Sequence, residues 1–443
     1  MLFTTDKQTL EDLNIFGKHG GESLYNIFNC CATGGGAAIL EEMFRYPLSD
    51  EMAINKRCGT FLYFKDLNLK FHFESVLFDA VEPYLANTDE RTKLSAQEYS
   101  VVKKLSNIIA VEVETQQIYD GINALVTLLK RLQAFVDGLD IYQAHPYYAE
   151  KSVIMGILAE PVMVNVLERK DKLTQHRMVE LDALLRFQHR DLVLKLLRHI
   201  YLLDVYFSVA KVAKERGFAF PKALPREERV IRLEGVYHPQ VKNAVPNLIS
   251  INPACNVIFL TGANMAGKST FMKSLSIAMF LAHMGFPVAA AKLEFSVLDG
   301  IYTTINLPDN LSMGASHFYA EVLRVKKIAQ ELSQDKHLFI VFDELFRGTN
   351  VKDAYEATIA ITKGFATKKN STFVISTHII EAGEVLRAAC PNVRFVYLPT
   401  RMNGNLPVYT YTLENGITDD RHGMIIINNE GILDILKNGR KGI

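Results

Sequence analysis

Lys268 stands in the stretch Thr261-Gly262-Ala263-Asn264-Met265-Ala266-Gly267-Lys268-Ser269-Thr270, where Gly262 and Gly267-Lys268-Ser269 have the spacing of a phosphate-binding P-loop. Backbone N–H groups and the positive end of a following helix can surround a polyphosphate in such a loop. Lys268 would then reach the terminal phosphates of a nucleotide, and Ser269 would hold Mg²⁺. The bare pattern also arises by chance, so its context decides. Here the apolar run Val257-Ile258-Phe259-Leu260 precedes it and a helix-like stretch follows from Phe271.

A second apolar run, Leu338-Phe339-Ile340-Val341-Phe342, ends in Asp343-Glu344. Two carboxylates at the end of a buried strand suit a Mg-nucleotide site. Asp343 would hold the metal through water, and Glu344 would orient or deprotonate the attacking water. A further run, Thr372 to Ser376, delivers Thr377-His378 to the same edge, where a histidine can polarise a γ-phosphate. Arg347-Gly348-Thr349-Asn350 and the stretch Asp309 to Phe318 are polar, Gly-containing loops unsuited to a core. Ser316 reads as a helix N-cap, or as a donor to a phosphate held by another subunit.

These residues need a scaffold, and the chain supplies two kinds of pattern. To about Pro221 it reads as helical. Ile118, Ile122, Leu125, Leu129, Leu132 and Val136 make one helix stripe, and Val101, Leu105, Ile108 and Glu112 suggest a helix before it. The segment from Lys172 to Lys211 has no Gly or Pro and predicts a long helix. After Gly217-Phe218-Ala219-Phe220-Pro221, β-like runs at 257–260, 338–342, 372–376 and 393–398 alternate with helical ones, which predicts a parallel α/β sheet. The expected domains are therefore a helical one over 1–225 and an α/β one over 226–443.

At 443 residues with 49% hydrophobic, the composition argues against extensive disorder. The 49 basic residues balance 49 acidic ones, so any polyanion-binding surface must be local. Five cysteines show no metal spacing and fit a reducing compartment. No secretory signal is visible. The most apolar stretch, Leu275 to Ala291, contains His283 and Pro287 and reads as core helix plus strand, so a cytoplasmic protein without a membrane span is expected. Residues 169–199 carry eight Lys or Arg (Arg169, Lys170, Lys172, Arg177, Arg186, Arg190, Lys195, Arg198) against four acids. Such a segment is either a solvated face or a contact to nucleic-acid phosphates.

Taken together, Thr-Gly-Ala-Asn-Met-Ala-Gly-Lys-Ser-Thr, Asp-Asn-Leu-Ser-x-Gly-x-Ser-x-Phe, Phe-Asp-Glu-Leu-x-Arg-Gly-Thr and Ser-Thr-His resemble, in order and spacing, the ATPase domain of the MutS mismatch-repair family. Arg421-His422-Gly423-Met424 resembles a motif near the end of that domain. Ser23 to Phe28, Thr33 to Gly36 and Tyr46-Pro47-Leu48 resemble the opening of the family's helical core. The resemblance implies a helical core and lever followed by an ABC-type P-loop ATPase, working as a homodimer on double-stranded DNA with ATP and Mg²⁺. Carried over, Gly262, Asn264, Met265, Gly267, Lys268, Ser269 and Thr270 bind phosphates and Mg²⁺. Asp343 assists the metal, Glu344 activates water, His378 contacts the γ-phosphate region, and Ser316 acts on the partner's nucleotide.

The departures carry expectations of their own. The resemblance starts at the core, which implies no mismatch-recognition or connector domain and no direct mismatch reading. The lever tip reads as short, and the family's C-terminal dimerisation extension is not seen. Ala266 stands for a usual Gly and His317 for a usual Thr, both tolerable; Val245 stands near where an aromatic often stacks on adenine, implying weak base preference. Two other readings remain: an ATP-gated protein acting on ribosomes, repair proteins or another nucleoprotein, and a nucleotide-binding scaffold without hydrolysis.

Overall fold

The stripe at 118, 122, 125, 129, 132 and 136 forms as expected. In the computed structural model it lies along one helix, Ile108–Asp137, and all six side chains are buried. The structure describes residues 3–17, 21–67, 69–95, 108–167, 174–306, 317–404, 406–418 and 431–437. In chain order the first helices are α1 (Lys7–Asp12), α2 (Leu24–Phe28), α3 (Gly34–Arg45), α4 (Glu51–Leu67), α5 (Ser75–Ala86) and α6 (Ile108–Asp137). They continue with α7 (Tyr148–Leu158), α8 (Pro161–Leu167), α9 (Gln175–Asp182) and α10 (Arg190–Arg216). Two compact units result: one of Phe28–Met43 with Gly59–Lys211, the other of Met1–Ile27, Phe44–Cys58 and Val212–Ile443. None of the described helices is long and apolar enough to cross a membrane.

In the helical unit α6 packs closely on α5, because Gly121 leaves room for Tyr84: a Cβ there would lie 2.4 Å from the Tyr84 Cβ. Phe64 meets Tyr147, Tyr206 and Phe207 at ring separations of 5.2 to 5.3 Å, the centre of this unit's core. The uninterrupted helix expected over Lys172 to Lys211 is not found. A π-helical turn, Ala183–Gln188, separates α9 from α10, and His189 N donates to Leu184 O five residues back (2.8 Å). Asp182, which ends α9, and Arg186 on this turn have side chains wholly excluded from solvent. Arg186 grips both Asp182 oxygens (2.8 and 2.7 Å) and also Thr92 O (3.0 Å), while Leu94 N donates to Asp182 (3.0 Å). The wide turn thus accompanies a buried ion pair whose remaining bonds go to a distant segment, something no local pattern reveals.

Among its described residues the other unit holds a large sheet, a smaller one and a two-stranded hairpin, Thr400–Asn403 with Leu406–Tyr409. Its strands are β1 (Lys222–Leu224), β2 (Ile231–Val236), β3 (Asn247–Ile251), β4 (Val257–Gly262), β5 (Lys292–Ser296), β6 (Gly300–Thr304), β7 (Leu338–Phe342), β8 (Thr372–Ser376), β9 (Val393–Leu398), β10 (Thr400–Asn403), β11 (Leu406–Tyr409) and β12 (Glu414–Asn415). The large sheet has the order β12-β9-β4-β8-β7-β6, parallel except for β12 at its edge. β4, β7 and β8 are buried at every position, which is why each reads as a continuous apolar run. The helices are α11 (Lys268–His283), α12 (His317–Leu332), α13 (Val351–Ala366), α14 (Ile380–Ala389) and α15 (Ile432–Lys437).

A smaller sheet, β1-β5-β2-β3, has β1 parallel to β5 and its other pairs antiparallel. The apolar stretch from Leu275 to Ala291 is buried up to Ala290, but only its helix forms as expected. After α11 the chain turns at Gly285 (φ 70°), Val288 makes a single bridge to Ala219, and β5 begins only at Lys292.

Candidate functional site

β4 ends at Gly262 and α11 begins at Lys268, with the glycine-rich loop between them. The loop needs residues that tolerate positive φ: Gly262 (149°), Met265 (66°) and Gly267 (99°). Gly262 also lies against β9, where a Cβ would sit 3.2 Å from Leu398 O. Lys268 is buried and folds back over the loop, donating to Gly262 O (2.9 Å) and Ala263 O (3.2 Å). Burial lowers its amine pKa, and Asp343 and Glu344 oppose that shift. Asn264, Met265, Ser269 and Thr270 are exposed, the last two in the first turn of α11, whose unpaired N–H groups favour an anion.

The parallel register brings the ends of β7 and β8 beside this loop. Asp343 accepts hydrogen bonds from Ser269 Oγ and from Ser376 Oγ (2.5 Å). Its own N–H donates to Thr304 O at the end of β6 (2.9 Å). Glu344 leaves the strand in the left-handed region (φ 54°) with its N–H on Ser376 Oγ (3.1 Å). Its carboxylate lies 2.6 Å from His378 Nε2 and accepts from Arg347 Nη1 (3.2 Å). The His378 hydrogen bond, outweighing burial and reinforced by Arg347, holds the Glu344 carboxyl down at about 2.

Ser269, Asp343, Ser376, Glu344 and His378, drawn from three segments of the chain, therefore form one hydrogen-bonded group, with the Lys268 amine close enough to feel both carboxylates. Ser376, which the sequence placed in the Ser-Thr-His stretch without a role, joins the site. Its hydroxyl links both carboxylate residues, and its own signal was a small polar residue closing an apolar strand. The Ser269 hydroxyl and the Asp343 carboxylate form an adjoining pair of hard oxygen donors, the ligand type that Mg²⁺ takes. Among the described residues no cluster of three or more His, Cys, Asp or Glu could hold a metal by itself.

A cleft of about 690 Å³ opens over the loop, lined by Asn264, Lys268, Ser269, Thr270 and Glu344. His238, Val245 and Tyr411 line it as well. Tyr411 was not singled out in the sequence. It follows β11 with φ 55°, and its ring lies on Gly267, 3.0 Å from where a Cβ would stand. Asn247 fixes it, donating to Tyr411 O (2.9 Å) and accepting from Leu413 N (2.7 Å). Ser316, most of the stretch around it and Arg421 to Met424 lie outside the described residues.

The basic segment at 169–199 is less available than its composition suggests. Arg177 and Arg186 are buried, and Arg190 donates to Leu85 O (3.2 and 3.0 Å). Lys195 and Arg198 are exposed, the latter 3.6 Å from Glu42, and Arg169, Lys170 and Lys172 lie outside the described residues.

A glycine-rich loop, an acidic strand end and a histidine on one edge of a parallel sheet match a known domain class. Residues 258–441 fit the family model described as MutS domain V. Curated relatives named DNA mismatch repair protein MutS agree. The one from Fusobacterium nucleatum is 28% identical over 250 residues, covering 55% of this chain and 27% of the relative. That from Persephonella marina is 29% identical over 246 residues, covering 55% and 28%. That from Chlamydia muridarum is 30% identical over 246 residues, covering 54% and 29%. The resemblance to the MutS family is thus borne out over the part of the chain that carries the site. The aligned part spans less than a third of those relatives' length.

Proposed function

We propose that this chain is a MutS-type ATPase that hydrolyses ATP with Mg²⁺ and couples the cycle to double-stranded DNA. The observation that carries the reading is the hydrogen-bonded group Ser269–Asp343–Ser376–Glu344–His378, with Lys268 beside it, at one cleft. Lys268 and the N–H groups of the loop would cradle the β- and γ-phosphates, with Asn264, Met265 and Thr270 along the same stretch. Ser269 and Asp343 would hold Mg²⁺, which neutralises charge on the phosphates when bound. Glu344, kept ionised by His378 and Arg347, would accept a proton from the attacking water. His378 holds the carboxylate in place and would face the γ-phosphate.

The family likeness supports the rest: an ABC-type arrangement in which a homodimer brings Ser316 of one subunit to the nucleotide of the other, opening and closing around DNA. The domain division at about residue 225 belongs to the same reading.

One observation favours a second partner class. Three cations of the basic segment, Arg177, Arg186 and Arg190, are committed to contacts within their own unit. An ATP-gated protein acting on ribosomes, repair proteins or another nucleoprotein assembly would not need them. ATPase rates with short duplex, branched and mismatched DNA, at low and moderate salt, separate the two. Stimulation by duplex or branched DNA, equal with and without a mismatch, supports the first reading. Indifference to every DNA moves the partner to a protein or ribosomal surface.

A further inference from the structure

β6 lies at the edge of the large sheet, and the N-terminal segment docks against it. Thr4 N donates to Asp299 O (2.7 Å), and Ile301 N donates to Thr4 O (3.0 Å), a parallel bridge that adds one residue beyond the edge. Gly300 makes this possible, since a Cβ there would lie 2.4 Å from Thr4 O. Thr9 is wholly buried and receives Thr303 N on its hydroxyl (3.0 Å).

Asp12 is the centre of this contact. Only 3% exposed, it accepts from Thr303 Oγ1 (2.8 Å), Ile305 N (2.9 Å), Asn306 N (3.0 Å) and Gln8 Nε2 (2.9 Å). Its three partners on β6 and just beyond surround Thr304. The carbonyl of Thr304 accepts the N–H of Asp343 (2.9 Å), and its hydroxyl accepts Arg324 Nε (3.1 Å). Arg324 also donates to Thr303 O (2.7 Å) and to both oxygens of Asp6, which Lys327 joins at 2.7 Å. One turn earlier on α12, Glu321 accepts Gly348 N (3.5 Å), and Phe318 packs on Phe346 at 5.9 Å.

Two routes therefore run from the N-terminal segment to the acidic end of β7. One passes from Asp12 through Thr304 to Asp343. The other passes from Asp6 through α12 to residues 346–348, directly after Glu344. A strap that only covered a sheet edge would need apolar contacts and ladder bonds. Here the buried Asp12 carboxylate bonds the residues on either side of Thr304, and the half-buried Asp6 holds the Arg324 that bonds the Thr304 hydroxyl.

We propose that Asp12 and Asp6 are positioning residues: the N-terminal segment sets the Asp343–Glu344 end of β7 for a metal–nucleotide complex. The inference rests on the reading of that cleft as a Mg-nucleotide site. Asp12→Asn would present an amide donor to donors and loosen the hold on Thr304, while the glycine-rich loop stays untouched.

The test is the affinity of the intact chain for a fluorescent ADP, with Mg²⁺ and with EDTA, alongside thermal unfolding. In Asp12→Asn the gain in affinity that Mg²⁺ confers falls about two- to tenfold, the range of one or two lost hydrogen bonds, while the EDTA affinity stays within about twofold. Asp6→Asn shifts the same quantity in the same direction. Thr303→Val, which removes one donor without stranding a backbone N–H, serves if Asp12→Asn does not unfold cooperatively. A lowered unfolding temperature with the Mg²⁺ gain unchanged overturns the proposal, since an edge cover alone does that. A natural chain that binds no nucleotide under either condition overturns instead the reading of the cleft.

Discussion

His378 Nε2 lies 2.6 Å from Glu344 Oε1, so the ends of β7 and β8 meet through an imidazole and a carboxylate. The contact is the largest cause of the low Glu344 pKa. With His378→Ala the carboxylate loses that donor, and its protonation moves up toward the ordinary glutamate value. The acid limb of kcat/KM should shift to higher pH than in the natural chain, as read from a pH–rate profile. An unmoved limb would show that the histidine does not control this carboxylate.

Lys268 is a buried cation whose pKa burial lowers, and its amine is occupied by two carbonyls of its own loop. Replacing it by Met removes a desolvated charge from an apolar strand end. Lys268→Met should therefore leave the unfolding temperature equal or higher, while nucleotide affinity drops at least about tenfold through loss of a charge-assisted phosphate contact. Thermal unfolding beside nucleotide titration checks both halves. A variant that binds as tightly as the natural chain removes Lys268 from the site.

Asp182 and Arg186 form a pair with no solvent exposure on either side chain. Asp182→Ala leaves the Arg186 charge buried with only neutral partners, which should cost about 3–5 kcal/mol in chemical unfolding. The π turn at 183–188 should relax with it. A loss below about 1 kcal/mol would mean that the pair contributes no more than an exposed salt bridge.

Asp6 accepts from Arg324 and Lys327; burial would raise its carboxyl, but these bonds hold it well below the ordinary aspartate range. Because the folded-state pKa is depressed, its stabilisation is complete above about pH 4–5 and is lost as pH falls through that range and below. The gap in unfolding temperature between the natural chain and Asp6→Asn should be constant from neutral pH to about pH 5. It should narrow on further acidification. A gap that widens in acid would reverse the sign of the linkage.

Much of the edge that carries the candidate site was legible because β4, β7 and β8 are buried at every position and β9 at half of its positions. Val257–Leu260, Leu338–Phe342, Thr372–Ser376 and Val393–Leu398 announce themselves as apolar runs, and the loops that follow carry the chemistry. The polar bonds across long sequence separations were not legible. Asp6 and Asp12 look like surface charges until Arg324 and Thr303, about 300 residues on, are placed beside them. Ser376 and Tyr411 likewise gain meaning only from the neighbours that sheet register and a hairpin bring them. The expected helix over 172–211 failed for the same reason, since the Asp182–Arg186 pair takes its remaining bonds from Thr92 and Leu94. Periodicity reports what is apolar and local; it is silent on buried polar partners.

Glu344 is proposed to drive ATP hydrolysis at the Lys268–Ser269–Asp343 cleft. The most direct test is phosphate release from Mg-ATP by the intact chain beside Glu344→Gln, with nucleotide occupancy matched in both. Turnover is expected in the natural chain and a rate at least about 100-fold lower in the variant, with ATP still bound. Equal rates in the two chains, or none in the natural one, would contradict it.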